Sequence, residues 1–263
     1  MAKSMYIGVN DKARKVKNVY VGVSAVARKV KSGYVGVSGV ARQFWSSGTP
    51  LSSLAVGTTV YMKVNGVSKA FIVVNQGRPS SVYDSSCNGT WLLMKDIYES
   101  RIFYNSTKNM VDYSNSDIHS YLNNTFINLF DSGIQGAIKQ VKLPYTNITE
   151  GICTASNGVS ARVFLLSYTE VGFSGQPNAN VEGAVLGYFR GAANSRRIGY
   201  LNGSAAYWWL RSQAVNLSFA YAWRVSNTGN ETYEYVTNPQ GVRPCLVMPS
   251  DAIIDESYNV IAA

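Results

Sequence analysis

Short alternating runs, rather than helix-length apolar periodicity, set the pattern of this chain. Tyr6-Ile7-Gly8-Val9 recurs as Tyr20-Val21-Gly22-Val23 and again as Tyr34-Val35-Gly36-Val37, at a constant spacing of 14 residues. Each copy passes a small-residue turn (Asn10-Asp11, Ser24-Ala25, Ser38-Gly39) into Ala-Arg-Lys-Val-Lys or a relative of it. The third copy ends instead as Ala41-Arg42-Gln43-Phe44-Trp45. A β-rich run, a turn and an alternating run predict one β-hairpin per repeat. Within such a strand Lys15 and Lys17 share one face and Val16 takes the other. Hairpins this small bury little alone. The pattern therefore predicts stacking on each other, on symmetry mates or on a larger assembly, and favours an attachment module over an inert spacer. Ser46-Ser47-Gly48-Thr49-Pro50 reads as a linker. It divides the chain into repeats over 1–48 and one domain over 49–263.

In that domain, Val60-Tyr61-Met62-Lys63-Val64, Asn65-Gly66 and Ser68–Val74 predict a strand, a tight turn and a strand. Trp91-Leu92-Leu93-Met94 is a further apolar strand candidate. Ser116 is placed to cap a helix whose first residue is Asp117, with an acid near the positive helix end. Ile118, Tyr121 and Leu122 then fall on one helical face. A second short helix is expected around Ile134 and Ile138, and a buried strand at Val163-Phe164-Leu165-Leu166-Ser167. Strands at both ends with helices between predict an α+β domain.

Charge changes the picture of the repeats. Residues 1–48 hold nine basic residues and one acid, Asp11, and so carry +8 of the formal net charge of +9. A basic segment can meet an anionic surface or a nucleic acid. Solvated strand faces on a near-neutral domain are the simpler account, and no nucleic-acid partner is expected. Hydrophobic residues make up 46% of the chain and charged ones 15%, which excludes a disordered polyampholyte. Cys87, Cys153 and Cys245 are far apart and form no CxxC pair, so neither zinc nor a disulfide framework is expected. Met1-Ala2-Lys3-Ser4 does not open onto an apolar run, so no secretory signal is expected. No stretch approaches the roughly 20 apolar residues of a membrane span, so no membrane insertion is expected.

Tyr207-Trp208-Trp209-Leu210-Arg211-Ser212 and Gly241-Val242-Arg243-Pro244 frame a middle of Asn, Ser, Thr, Tyr, Phe, Leu, Val and Glu with weak periodicity. With Ser116-Asp117-Ile118, Tyr121–Phe126 and Val163–Ser167 before them, these motifs resemble a bacterial and phage family with terminal WWLRS…GVRP signatures. That family includes variable proteins of diversity-generating retroelements, in which a reverse transcriptase rewrites the coding sequence near the C-terminus. The resemblance covers about residues 50–250 and implies a C-type-lectin-like fold of the formylglycine-generating-enzyme type. The Tyr-x-Gly-Val repeats resemble modules of phage tail-associated proteins.

The resemblance implies a phage tail-tip receptor-binding protein, located in the virion. It would hold a hypervariable surface within about 207–244 toward a host cell-surface receptor, protein or glycan. Residues 1–48 would join other phage tail proteins, and the chain would be a homo-oligomer, a trimer among the candidates. Mutated AAC codons reach Tyr, Ser, Thr, Phe, Leu, Val, Arg, Ala and Asp. The implied variable positions are Val215, Leu217, Ser218, Phe219, Tyr221, Arg224, Ser226, Thr228, Thr232, Tyr233, Tyr235 and Thr237, converging on one exposed patch. Trp208, Trp209, Arg211, Trp223, Val242 and Arg243 are the scaffold beneath. Trp208 and Trp209 point to opposite faces, so one should be core while the other can line the surface. If 219–226 is a strand, burying Trp223 leaves Arg224 and Ser226 outward, while Phe219 and Tyr221 share the parity of Trp223.

A cellular surface or secreted ligand-binding protein of the same fold is the alternative. A formylglycine-generating-like enzyme is a weaker one. The catalytic members need a reactive cysteine pair, whereas Cys245 lies in an apolar run with no second cysteine near in sequence. The single histidine, His119, offers no base beside a nucleophile, and GxSxG, GxGxxG, Walker A and HExxH motifs are absent. No catalytic residue, cofactor or metal is expected.

Overall fold

The computed structural model describes the backbone of six strands between residues 6 and 46, and then residues 48–106, 112–217 and 220–261. The six strands pair as three separate antiparallel hairpins: Tyr6–Val9 with Lys12–Lys15, Val19–Val23 with Val26–Val30, and Ser32–Val37 with Val40–Ser46. Their register repeats. Tyr6 stands opposite Lys15, Tyr20 opposite Lys29, and Tyr34 opposite Gln43. Val16 and Lys17 lie outside the described residues.

Ten strands of the following body form two five-stranded sheets. They are β1 (Thr59–Val64), β2 (Val67–Gln76), β3 (Thr90–Met94), β4 (Glu99–Arg101), β5 (Val163–Phe164), β6 (Trp208–Ala214), β7 (Tyr221–Val225), β8 (Glu231–Tyr235), β9 (Gln240–Val242) and β10 (Cys245–Met248). The first sheet has the order β5-β10-β3-β2-β1 and is antiparallel throughout. Asn65 and Gly66 join β1 to β2 with φ of 51° and 73°. A two-residue hairpin turn demands this left-handed pair, which Asn and Gly supply at least cost. The second sheet has the order β4-β9-β6-β7-β8, with one parallel step at Trp208 opposite Gly241. β3 and β6 are buried along their whole lengths. A small third sheet pairs Ile253–Ile254 with Thr49–Pro50 and with Val260–Ile261.

This architecture overturns the expected α+β, C-type-lectin-like fold: the molecule is β-rich and divided among several small sheets. Among the described residues the α-helices are α1 (Asp117–Asn124) and α2 (Ser132–Ala137). Ser116 does cap α1, its hydroxyl accepting from His119 N–H at 3.2 Å. The helix nevertheless stops after eight residues. Asn123 ties its helix to β5, its amide donating to His119 C=O and Val163 C=O and its oxygen accepting from Arg162 N–H, and a 3₁₀ turn follows at Phe126–Leu129. α2 buries Ile134 and ends before Ile138. The apolar run Val163–Ser167 is ladder only at its first two residues. Leu165 N–H then donates to the Tyr113 hydroxyl at 3.1 Å, and Leu166 C=O accepts from Arg211 N–H at 2.8 Å. Burial was therefore readable there, but pairing was not.

Candidate functional site

The two framing motifs are seams between elements. The chain leaves β9 at Val242 and enters β10 at Cys245, so Arg243-Pro244 carries it from one sheet to the other. Met94 N–H donates to Pro244 C=O at 2.8 Å, and Arg243 Nε donates to Met94 C=O at 2.9 Å. Val242 is fully buried, and Tyr98 N–H donates to its carbonyl. A Cβ at Gly241 would fall 2.6 Å from the Tyr207 carbonyl, so no other residue fits this approach without movement. Arg243 has its charge against the Trp208 ring at 5.0 Å, and burial pulls its pKa down to about 10.

Trp208 and Trp209 are both 0% exposed, which corrects the expectation that one lines the surface. Each is held by its indole N–H: Trp208 donates to Arg197 C=O and Trp209 to Arg101 C=O, both at 2.9 Å. Arg211, in the same strand, forms a two-pronged pair with Glu170 at 2.5 and 2.7 Å. Its remaining donors meet Leu165 and Pro144 carbonyls. Burial opposes the Arg211 charge, but the Glu170 carboxylate outweighs it and raises the pKa. Tyr83 donates to the same carboxylate at 2.8 Å. Beside this pair, Ser212 Oγ donates to Glu182 at 2.7 Å and Thr146 N–H donates to the other oxygen at 3.0 Å. Burial pushes the Glu182 carboxyl above the usual range.

Between the seams, β7 and β8 form a hairpin with β8 at the sheet edge. Tyr221 stands opposite Tyr235 and Trp223 opposite Tyr233, placing four rings on one face. Tyr221 and Tyr235 stack at 4.4 Å, Trp223 meets Tyr233 edge-on at 5.4 Å, and Trp223 lies against Tyr168 at 4.6 Å. Exposure grades across this face: Trp223 is 3% exposed, Tyr235 37% and Tyr233 40%. Trp223 N–H is satisfied by Asn178 C=O at 3.2 Å. The hydrogen bond with Tyr235 raises the Tyr221 phenol to about 12.

The opposite face carries Arg224, Thr232 and Glu234. Arg224 pairs with Glu234 at 3.0 Å and lies 4.2 Å over the Tyr207 ring. The implied variable residues therefore do not converge on one patch: the sheet separates Tyr221, Tyr233 and Tyr235 from Arg224 and Thr232. Ser226 is also corrected. It is 7% exposed, and its hydroxyl accepts from Asn230 N–H at 3.0 Å inside the β7–β8 turn, where Thr228 is exposed. Val215, Leu217 and Thr237 are half-buried. Ser218 and Phe219 lie outside the described residues.

Nine of the ten described variable candidates are exposed or half-buried, while all six scaffold candidates are buried. Sequence reasoning missed Tyr168, Tyr207, Glu170 and Glu182. Two acids in apolar surroundings, Glu170 and Glu182, were the one signal available. His119 is half-buried against Tyr113 at 4.9 Å, and burial lowers its pKa to about 4. The three cysteines are free and buried, and burial pushes the Cys87 thiol up to about 12. Among the described residues no group of three His, Cys, Asp or Glu is placed to hold a metal ion, and no helix is long and apolar enough to cross a membrane.

Fold and surface together define a β-rich body that carries an aromatic hairpin on its edge. Residues 88–250 match the family described as "Domain of unknown function (DUF6273)", and the chain belongs to that family. No curated protein and no solved structure matches the chain.

Proposed function

We propose that this chain is a receptor-binding protein of a phage tail tip. Its β7–β8 hairpin presents a diversified contact surface to a host cell-surface protein or glycan. The observation that carries the reading is the split by burial between the two sets of positions named inside 207–244: nine of the ten described variable candidates are exposed or half-buried, and the six scaffold candidates are buried. A surface that must change identity needs side chains whose loss leaves the fold alone, because exposed substitutions cost within about 0.5 kcal/mol. Tyr233 and Tyr235 suit the task, as tyrosine offers large contact area at small rotamer cost. The contact face is Tyr221, Tyr233 and Tyr235, with Arg224 and Thr232 serving the reverse face. The repeats over 1–48 fix the chain to tail proteins and support a homo-oligomer.

The test is host-cell binding by the purified chain and by the Tyr233→Ala/Tyr235→Ala double variant. Binding by the parent and its loss in a folded double variant support the reading. Equal binding by both refutes the assignment of the surface. A reverse-transcriptase gene beside the coding sequence, with a near-copy of the segment encoding 207–244, tests diversification separately.

A further inference from the structure

The other edge of the second sheet, β4, borders an open cleft of about 550 Å³, a size typical of small-ligand sites. Its floor is built by three interlocked side chains. The Arg101 guanidinium carbon lies over the Tyr121 ring, 3.6 Å from its centre. Glu99 Oε1 accepts from Arg101 Nε at 2.7 Å, and the Tyr121 hydroxyl bonds the same carboxylate. Arg101 is thereby held between a carboxylate and a ring, with its guanidinium partly exposed to the cleft. Asp117, from the first turn of α1, the exposed Asn105 and Pro239 of the β8–β9 connection complete the lining.

The chemistry of this lining selects a ligand class. Two carboxylates against one guanidinium leave the cleft net negative, which disfavours phosphate and other anions. A carboxylate, a carboxamide and a guanidinium edge together accept from and donate to hydroxyl groups, which are both donors and acceptors. The stacked Arg101–Tyr121 pair and the Pro239 ring supply flat, weakly hydrated surface for C–H contact. We propose that the cleft binds a neutral saccharide, with Asp117 and Asn105 taking hydroxyl groups and the Arg101–Tyr121 stack supporting a sugar ring. This site is independent of the hairpin, since β4 and β8 are opposite edges of the sheet.

The experiment is calorimetric titration of the full chain with four neutral tetrasaccharides: chito-, malto-, cello- and mannotetraose. Tripolyphosphate and a neutral octapeptide serve as comparators. At least one tetrasaccharide is expected to bind with a Kd below about 10 mM. Asp117→Asn, Asn105→Ala and Arg101→Ala are each expected to weaken it by roughly tenfold or more. Tyr233→Ala should leave it unchanged. If Arg101→Ala proves unfolded, the near-isosteric Asp117→Asn and the surface Asn105→Ala decide the matter. The proposal is overturned if no tetrasaccharide binds, if only tripolyphosphate or the peptide binds, or if saccharide binding ignores Asp117→Asn and Asn105→Ala.

Discussion

The Glu170–Arg211 seam and the β7–β8 hairpin both place charge and aromatic rings on the same sheet, yet they treat them in opposite ways. At the seam every charge is enclosed and answered. Arg211 meets two carboxylate oxygens and two carbonyls, and Glu170 also takes Tyr83. On the hairpin, Tyr233 and Tyr235 lean on neighbours along one side and face water on the other. A buried ion pair gives geometry more reliably than it gives stability, because desolvation consumes most of the attraction. Removing one partner is costly. Removing an exposed ring is not. The difference separates side chains whose removal should cost the fold from side chains whose removal should not.

The strongest way to break that contrast is to open the seam. Glu170→Ala leaves Arg211 buried without its carboxylate and is expected to cost about 3–5 kcal/mol. Trp223→Ala, which empties the space between Tyr168 and Tyr233, should cost roughly 3–5 kcal/mol. Urea unfolding followed by tryptophan fluorescence measures both. If Glu170→Ala is as stable as the parent, the seam is not scaffold, and if Trp223→Ala is, the hairpin has no buried anchor.

Acid should act next, and on the body rather than the hairpin, since the one histidine is on α1. The folded pKa of His119, about 4, lies below its ordinary value near 6.5. Its contribution is therefore fully present above pH 6.5 and is lost as pH falls toward 4. Thermal melts across that window should show a decline that His119→Gln reduces, by an amount on the order of 2 kcal/mol at most.

A smaller effect of opposite sign is expected at Gln213. Among the described residues, neither polar atom of its buried side chain has a hydrogen-bond partner. Gln213→Met keeps the volume and removes the orphans, so it should raise stability by about 1 kcal/mol in the same urea assay. Last come Tyr233→Ala and Tyr235→Ala, each expected to shift stability by no more than about 0.5–1 kcal/mol. A loss matching that of Trp223→Ala would show these rings to be core and would erase the contrast.

Local signals in the sequence were legible because their physics is local. Asn65-Gly66 specified its turn, and Ser116 its cap. Within 207–244 the large anchors were legible too, since Trp is costly to expose and Trp208, Trp209 and Trp223 are all buried. What could not be read depends on distant chain. Glu170 and Arg211 are 41 positions apart, and nothing near either one names the other. Strand parity failed for a related reason. Tyr221 shares the face of Trp223, but that face opens to water across the sheet rather than along it: the β7 rings are buried or half-buried, and their partners Tyr233 and Tyr235 on the edge strand β8 are exposed. The α+β expectation failed because one capped helical turn is no measure of helix length. The helix α1 ends after eight residues and passes into a 3₁₀ turn at Phe126–Leu129.

The pairing of Ile253–Ile254 with Thr49–Pro50 has a consequence for how this body can be joined to others. Where the first and last segments of a unit lie side by side, the unit can be spliced into a loop of a host chain, or cut elsewhere and rejoined at its old ends, with little distortion. A circular permutant that links Ile261 to Gly48 through a short glycine-serine bridge and opens at the exposed Asn202-Gly203 turn should keep both sheets. The body would then behave as a cassette, with its fixed attachment point at one place and its edge hairpin free to be exchanged.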